Sequence, residues 1–342
     1  MSGRLPILAI AVIGLGYWGP NLARNIAASS RTKLVRLCDL DQERVNAVGR
    51  AHPSAALSTN VRDVLEDASV DAVAIATPVS THHSLAKEAL LAAKHVLLEK
   101  PMAATSEEAL DLMAIASDKG LVLLIDHVFV YSPAVQTLIE LCRSGSIGDI
   151  KFIDSVRINL GLIQHDVNVL WDLAPHDLSI IDSLIGRAPR SVVAVGDSHV
   201  ANGTIDVSYM HLDYGGITAA VHLNWLSPVK IRHLMVGGSK KSVLYNDLDR
   251  SEPVKVYDRG VQIDSEQENK RGLMVSYRSG DVLSPRIETF EPLSALITHF
   301  ADCIEEGVAP ISGGEQGLRI VQTLEAADRS LALEGARVEI SG

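Results

Sequence analysis

Three side chains in this 342-residue chain have the types and spacing for proton and hydride chemistry: Lys100, Asp172 and His176. Lys100 lies in Glu99-Lys100-Pro101, at the end of the run His95–Glu99, which reads as a strand. A lysine there can bond a substrate hydroxyl and stabilise an oxygen whose charge changes as hydride moves. Pro101 makes a cis peptide accessible, which would aim the lysine inward. A solvated loop lysine is the competing reading. Asp172 and His176 fall in Trp171-Asp172-Leu173-Ala174-Pro175-His176-Asp177, spaced i,i+4, so on one helix they share a face. A histidine beside a carboxylate is a natural proton acceptor near neutral pH. Pro175 suits a first turn, so the helix could begin afresh there, leaving a capped helix start with a partly buried histidine. His165 and Asn168 upstream could line the same pocket or belong to a polar loop.

A second constellation is suited to holding a dinucleotide. The apolar run Ile7–Ile13 leads into Gly14-Leu15-Gly16-Tyr17-Trp18-Gly19-Pro20, a G-x-G-x-x-G turn ahead of a helix ending at Ala28. Gly14 permits the tight turn, Gly16 lets pyrophosphate approach the backbone, and Gly19 lets helix and strand pack closely. The N–H groups of Tyr17 and Trp18 then face the phosphates at the helix start. Alone the motif is weak, since ordinary strand–helix turns also use glycine. Asp39 strengthens it: it ends the second strand, 20 residues after Gly19, where a carboxylate accepts hydrogen bonds from the adenosine ribose and repels a 2′-phosphate. A cap on the next helix is the plainer role for Asp39-Leu40-Asp41. NAD is expected over NADP, with Arg44 the feature that keeps NADP open. Thr77 and Pro78 end a third strand and would lie beside the cofactor. His82 would join them, unless it caps the next helix or faces solvent.

These residues need strands that end together. The first third alternates strand and helix: Ile7–Ile13, Lys33–Asp39, Val70–Ala76, His95–Glu99 and Val122–Asp126 are strands, with helices at Asp41–Ala51, Ser84–Ala93 and Ser106–Lys119. Such alternation predicts a doubly wound parallel sheet over residues 1–126, with ligands at its carboxyl edge. Residues 127–342 form a second domain. It opens with a helix at Pro133–Arg143 and a long strand at Asp149–Leu160, then a helix at Val169–Ile185. Strands follow at Ser191–Val195, Ile205–Leu212, Ile217–Leu226, Ile231–Gly237, Lys241–Asn246 and Val254–Asp258. This predicts a large, mostly antiparallel open sheet with helices on one face. Gln262–Gly272 reads as an exposed loop, and helices at Leu293–Glu306 and Glu315–Leu333 close the chain.

Composition narrows the function classes. A hydrophobic share of 47% supports a sizeable core. The formal charge of −11 argues against non-specific binding to nucleic acid or anionic membranes. No apolar run spans a membrane, and the start is too short for a signal peptide. Cys38, Cys142 and Cys303 are odd in number and far apart, which suits a reducing compartment, so a soluble cytoplasmic protein is expected. The 12 histidines form no metal-binding cluster, and no metal is expected.

Taken together, the glycine turn, Asp39, Ala76-Thr77-Pro78, Glu99-Lys100-Pro101, the Asp172…His176 pair and the segment Gly317–Ile340 resemble the glucose–fructose oxidoreductase / inositol dehydrogenase (Gfo/Idh/MocA) family. The resemblance covers nearly the whole chain. It implies an α/β protein: an N-terminal Rossmann domain, then an α/β domain whose open sheet often mediates dimers or tetramers. It also implies Lys100, Asp172 and His176 at the active site, with Glu99 and Lys100 beside the cofactor. The stretches Gly14–Asn25 and Val169–Asp177 look like members acting on nucleotide-linked sugars. Those members exchange hydride between nicotinamide and a ring hydroxyl or ketone, typically at C3, in amino- or deoxysugar biosynthesis. On that pattern the sugar lies between nicotinamide and the second domain's sheet. His176 takes the hydroxyl proton, oriented by Asp172, while Lys100 stabilises the oxygen; Lys100 transferring the proton is the alternative. Other functions open to the family are oxidation of a free polyol, inositol or sugar phosphate, a non-enzymatic sensor, and a glycosidase using NAD transiently.

Overall fold

The apolar runs of the first third pair as six parallel strands in a computed structural model that describes residues 7–161, 163, 167–200, 203–263 and 275–340. They are β1 (Leu8–Ile13), β2 (Thr32–Cys38), β3 (Ala56–Ser58), β4 (Ala72–Ile75), β5 (His95–Glu99) and β6 (Leu123–Asp126), in the order β3-β2-β1-β4-β5-β6. Helices α1 (Gly19–Ala28), α2 (Gln42–Gly49), α3 (Arg62–Leu65), α4 (His82–Leu91) and α5 (Ser106–Lys119) alternate with them. All four residues of β4 are buried, as expected of a parallel strand covered on both faces. The order reverses between β1 and β4, so the carboxyl ends of β1, β4 and β5 frame the crevice where such sheets bind ligands. The three-residue β3 was not anticipated from sequence; its burial pattern is mostly exposed and carries no apolar signal.

A nine-stranded sheet forms separately. After α6 (Pro133–Arg143) come β7 (Ile150–Leu160), α7 (Val169–Ile185), β8 (Ser191–Asp197), β9 (Val207–Asp213), β10 (Thr218–Asn224), β11 (Leu226–Gly238), β12 (Ser242–Asn246), β13 (Val254–Ile263) and β14 (Val275–Leu283). With β15 (Val338–Glu339) the order is β14-β13-β12-β11-β7-β10-β9-β8-β15. The neighbours β7 and β10 are parallel, and the other pairs antiparallel. Alternation decides its faces: Ala219, Val221 and Leu223 are buried, while Thr218 and Ala220 are exposed. Helix α7 packs on β7, β9 and β10, and α6 on β12 and β13. On another stripe, Tyr209 stacks on His222 across the β9–β10 pair, with ring centroids 4.3 Å apart.

Two expectations change here. Gln262 and Ile263 close β13, because they pair with Ser276 and Val275 of β14; polar residues are tolerated on strands near a sheet edge. The remainder of the expected loop, to residue 272, lies outside the described residues, as does His165. The chain also divides differently from the single break at 126/127. One unit comprises Met1–Ser132 with Phe290–Glu325, the other Pro133–Thr289 with Ala326–Gly342. The reason is α8 (Pro292–Glu305), whose Leu293, Leu296, Ile297 and Phe300 join Ile10, Leu22 and Leu34 in one core. Arg31 reinforces that return through Asp302 at 2.8 Å and Glu305 at 2.6 Å. Helix α9 (Gly314–Ala332) then carries the chain from the first unit to the second. No described helix is long and apolar enough to cross a membrane.

Candidate active site

The glycine turn is built to leave backbone bare. Gly14 has φ +92°, and a Cβ there would lie 2.5 Å from the Ala76 carbonyl oxygen. A Cβ on Gly19 would come within 1.9 Å of the Gly14 oxygen, so the close start of α1 against β1 requires glycine. At Gly16 a Cβ would meet only the Arg44 guanidinium, 3.7 Å away, so that position faces open space with a cation nearby. Helix α1 has no side-chain cap; Asn21 N–H turns back to the Trp18 oxygen at 2.9 Å and Pro20 has no N–H, so Gly19 carries the first-turn N–H that another acceptor can take. Bare backbone, an uncapped helix start and Arg44 fit the pyrophosphate of a dinucleotide.

Asp39 follows β2 beside this turn. Its carboxylate accepts from the Leu15 N–H at 2.6 Å and the Asp41 N–H at 2.9 Å. It is Asp41 that caps α2, accepting from Glu43 N–H and Arg44 N–H. The Asp39 carboxyl is therefore fixed against the glycine turn, as a ribose acceptor needs. Tyr17 projects outward, 86% exposed. Trp18 turns inward, its indole N–H donating to Asp126 at 2.6 Å.

The edge loops after β4 and β5 are tied by His82. Its ring is buried, with Nε2 2.8 Å from the Thr77 oxygen and Nδ1 2.8 Å from the Pro101 oxygen. It neither caps α4 nor faces solvent. A neutral imidazole has one N–H, so it donates to one of these carbonyls at a time. Burial holds the ring's pKa below its ordinary value, against the pull of both carbonyls. The Thr77 hydroxyl accepts from Thr81 at 2.7 Å, and Pro78 precedes that short turn. Lys100 follows β5, joined to Pro101 by a cis peptide.

The second unit carries the other chemistry. Helix α7 runs unbroken through Pro175, so the fresh start at that proline is not adopted. Its beginning lies earlier: the Asn168 side chain accepts from the Leu170 and Trp171 N–H groups and donates to Asp328 at 3.1 Å. The Trp171 indole bonds the same Asp328 carboxylate at 2.6 Å. From Leu173 to Asp182 the helix is buried apart from His176, and Asp172 is likewise part-exposed one turn before. The two therefore share the open stripe of a buried helix.

Two supports were not visible in the sequence. The buried Trp225 donates its indole N–H to Asp172 at 3.0 Å. Asp177 binds Arg157 of β7 through two bonds, 2.7 and 3.0 Å, both side chains buried. Burial disfavours the Arg157 cation, and Asp177, joined by the charges of Asp247 and Tyr245, holds its pKa above the ordinary value. Asp126 was also missed, although it ends β6 in register with Glu99, a place where a carboxyl is itself a signal. Lys100, with the glycine turn, belongs to the first unit; Asp172 and His176 belong to the second.

Comparison with known proteins follows the same division. Residues 8–127 match the model of the GFO/IDH/MocA oxidoreductase family, with an NAD-binding Rossmann fold, and residues 135–244 match the GFO/IDH/MocA C-terminal domain. A UDP-N-acetylglucosamine 3-dehydrogenase of Acidithiobacillus ferrooxidans is 30% identical, over 84% of this chain and 88% of its own. A scyllo-inositol 2-dehydrogenase (NADP(+)) of Bacillus subtilis is 25% identical, over 84% of each chain. A solved structure of the Acidithiobacillus enzyme superposes with a TM-score of 0.80, at 25% identity, covering 96% of this chain and 98% of that one.

Proposed function

The chain belongs to the GFO/IDH/MocA family of NAD-binding oxidoreductases, and from that premise we propose that it exchanges hydride between nicotinamide and C3 of a nucleotide-linked sugar, in amino- or deoxysugar biosynthesis. The observation that carries this reading is Lys100 at the carboxyl edge of the first sheet together with Asp172 and His176 on the open stripe of an unbroken helix, in a chain 30% identical to a UDP-N-acetylglucosamine 3-dehydrogenase.

When bound, the nicotinamide accepts or returns the hydride. Gly14, Gly16 and Gly19 give backbone room for the pyrophosphate, and Tyr17 and Trp18 carry N–H groups of that turn. Asp39 accepts from the adenosine ribose, which supports NAD over NADP. Thr77, Pro78 and Glu99 line the edge beside the cofactor, and His82 holds the Thr77 and Pro101 loops together. His176 takes the proton of the sugar hydroxyl, with Asp172 orienting the ring, while Lys100 stabilises the oxygen as its charge changes. In the reducing direction His176 returns the proton.

The protein works as a homodimer or homotetramer in the cytoplasm. Exposed Phe152, Val195 and Tyr209 on the nine-stranded sheet support self-association, and three free cysteines suit a reducing compartment. A second reading, oxidation of a free polyol, inositol or sugar phosphate, is favoured by the similarity to the inositol dehydrogenase.

A panel of nucleotide sugars, free sugars and inositols, each with NAD and with NADP, separates these readings. Turnover confined to nucleotide sugars with NAD is expected; turnover confined to inositols or free polyols selects the second reading. Single-turnover hydride transfer in His176→Asn and Lys100→Ala tests the roles, and wild-type rates in both would remove them.

A further inference from the structure

Asp126, Glu99 and Trp18 form a connected group at the end of the first sheet. Glu99 and Asp126 are register partners on the parallel strands β5 and β6, so their side chains leave the same face of the sheet side by side. Asp126 also accepts the Trp18 indole N–H at 2.6 Å. Glu99 Oε2 and Asp126 Oδ1 are both buried without a hydrogen-bond partner among the described residues. Two adjacent buried carboxyls disfavour ionising together, and a proton on one lets it donate to the other and gives both unpartnered oxygens a use.

We propose that Glu99 and Asp126 share a single proton, Glu99 donating and Asp126 accepting, and that this unit anchors Trp18 and so positions the glycine turn relative to the Lys100 edge. Asp126 and Glu99 act here as positioning residues, through the indole. A chain then runs from the turn to the residue preceding Lys100: indole N–H to Asp126 carboxylate, Glu99 O–H to the same carboxylate.

The surrounding charges agree with that assignment. Burial, then the Asp126 charge, hold Glu99 well above the ordinary carboxyl range. Burial also raises Asp126, but bonds from Trp18 and Glu99 and the charge of Lys100 oppose it, so the proton rests on Glu99. The other ionisable groups at this spot are His127, kept neutral by burial and by Lys100, and Tyr131, which senses the Asp126 charge and is held protonated chiefly by burial. One negative charge thus remains near Lys100 instead of two.

The inference rests on the glycine turn binding a dinucleotide and not on any sugar, and every readout below omits sugar. In the full chain, infrared spectra taken through the range above pH 4.5 should show a protonated-carboxyl stretch that Glu99→Gln removes. The sign of the stability effect is fixed. A raised folded pKa gives a contribution complete below the unfolded value of 4.5 and lost as pH rises towards the folded value. Glu99→Gln removes that loss, so its melting temperature relative to wild type should climb as pH rises above 4.5. For the anchor, Trp18→Phe and Asp126→Ala should each weaken NAD binding by about tenfold or more, and the double variant no further. If Asp126→Ala fails to fold, Trp18→Phe and Glu99→Gln still decide. The proposal is overturned by no protonated-carboxyl band in wild type, by a band that survives in Glu99→Gln, by a pH-independent stability change, or by wild-type NAD affinity in Trp18→Phe. Wild-type protein that binds no dinucleotide would instead remove the cofactor reading itself.

Discussion

The indole N–H of Trp225 and the carboxylate of Asp172 are joined by a 3.0 Å hydrogen bond, one turn of helix before His176. The bond is made from a strand-end residue that is 1% exposed, so its direction is set by the sheet and not by solvent. Gly161 makes room for it: a Cβ there would lie 2.9 Å from Trp225 Cδ1. The carboxylate proposed to orient His176 is thus itself oriented from the sheet.

Trp225→Phe keeps a ring in that space and deletes the donor. Loss of a hydrogen bond to a charged group costs about 1.5–3 kcal/mol, so kcat/KM should fall about tenfold or more. The drop should appear in kcat, with the limb of the pH–rate profile assigned to His176 displaced. A profile superimposable on wild type would show that Trp225 only fills space.

The glycine turn allows two substitutions with opposite signatures. Gly19→Ala forces a Cβ to 1.9 Å from the Gly14 oxygen, so the start of α1 must move and both stability and NAD binding should drop. Gly16→Ala meets nothing nearer than Arg44 at 3.7 Å, so the protein should melt as wild type does and yet bind NAD more weakly. Calorimetric melting with NAD titration on the same samples checks the pair. Equal melting losses in both variants would contradict the open face at Gly16.

Much of this site was legible because its residues sit at strand ends. Asp39, Lys100 and the glycine turn each follow an apolar run, and a parallel sheet brings such ends to one edge. The i,i+4 spacing of Asp172 and His176 likewise needed only a continuous helix. What escaped was partnership across long sequence separation: Trp18 with Asp126, Arg157 with Asp177, Trp225 with Asp172. Each partner reads in the sequence as ordinary core or cap. The return of α8 to the first unit escaped for a similar reason: an apolar stripe says that a helix is buried, not against which sheet. Pro175 misled because a proline inside a helix is disfavoured on local grounds, whereas here its neighbours Leu173, Ala174 and Leu178 are buried and the packing holds the helix.

His127 supplies a pH prediction. It is 1% exposed, and burial, with the charge of Lys100, pushes its pKa from 6.5 down to about 3. The unfolded chain therefore binds a proton that the folded chain refuses. Stability from this residue is complete above the unfolded value and is lost as pH falls from 6.5 towards about 3. The slope is one proton, about 1.4 kcal/mol per pH unit. Urea unfolding at a series of acid pH values should show it, and His127→Phe should flatten it by that amount. An unchanged slope in the variant would place the acid sensitivity elsewhere.

The Arg157–Asp177 pair makes the last prediction. Its two bonds, 2.7 and 3.0 Å, join β7 to α7 next to His176, with the side chains only 3% and 4% exposed. Removing one partner strands a buried charge, so Arg157→Met should destabilise the protein by about 3–5 kcal/mol in denaturant unfolding. Removing both charges removes that penalty, and Arg157→Met/Asp177→Leu should recover much of the loss. Activity should not recover with it. The pair ties α7 to β7 by directional bonds that an apolar replacement lacks, so the double variant should fold stably while its kcat stays depressed. If kcat returns together with stability, the ion pair serves the fold alone and His176 is positioned by Asp172 and Trp225 without it.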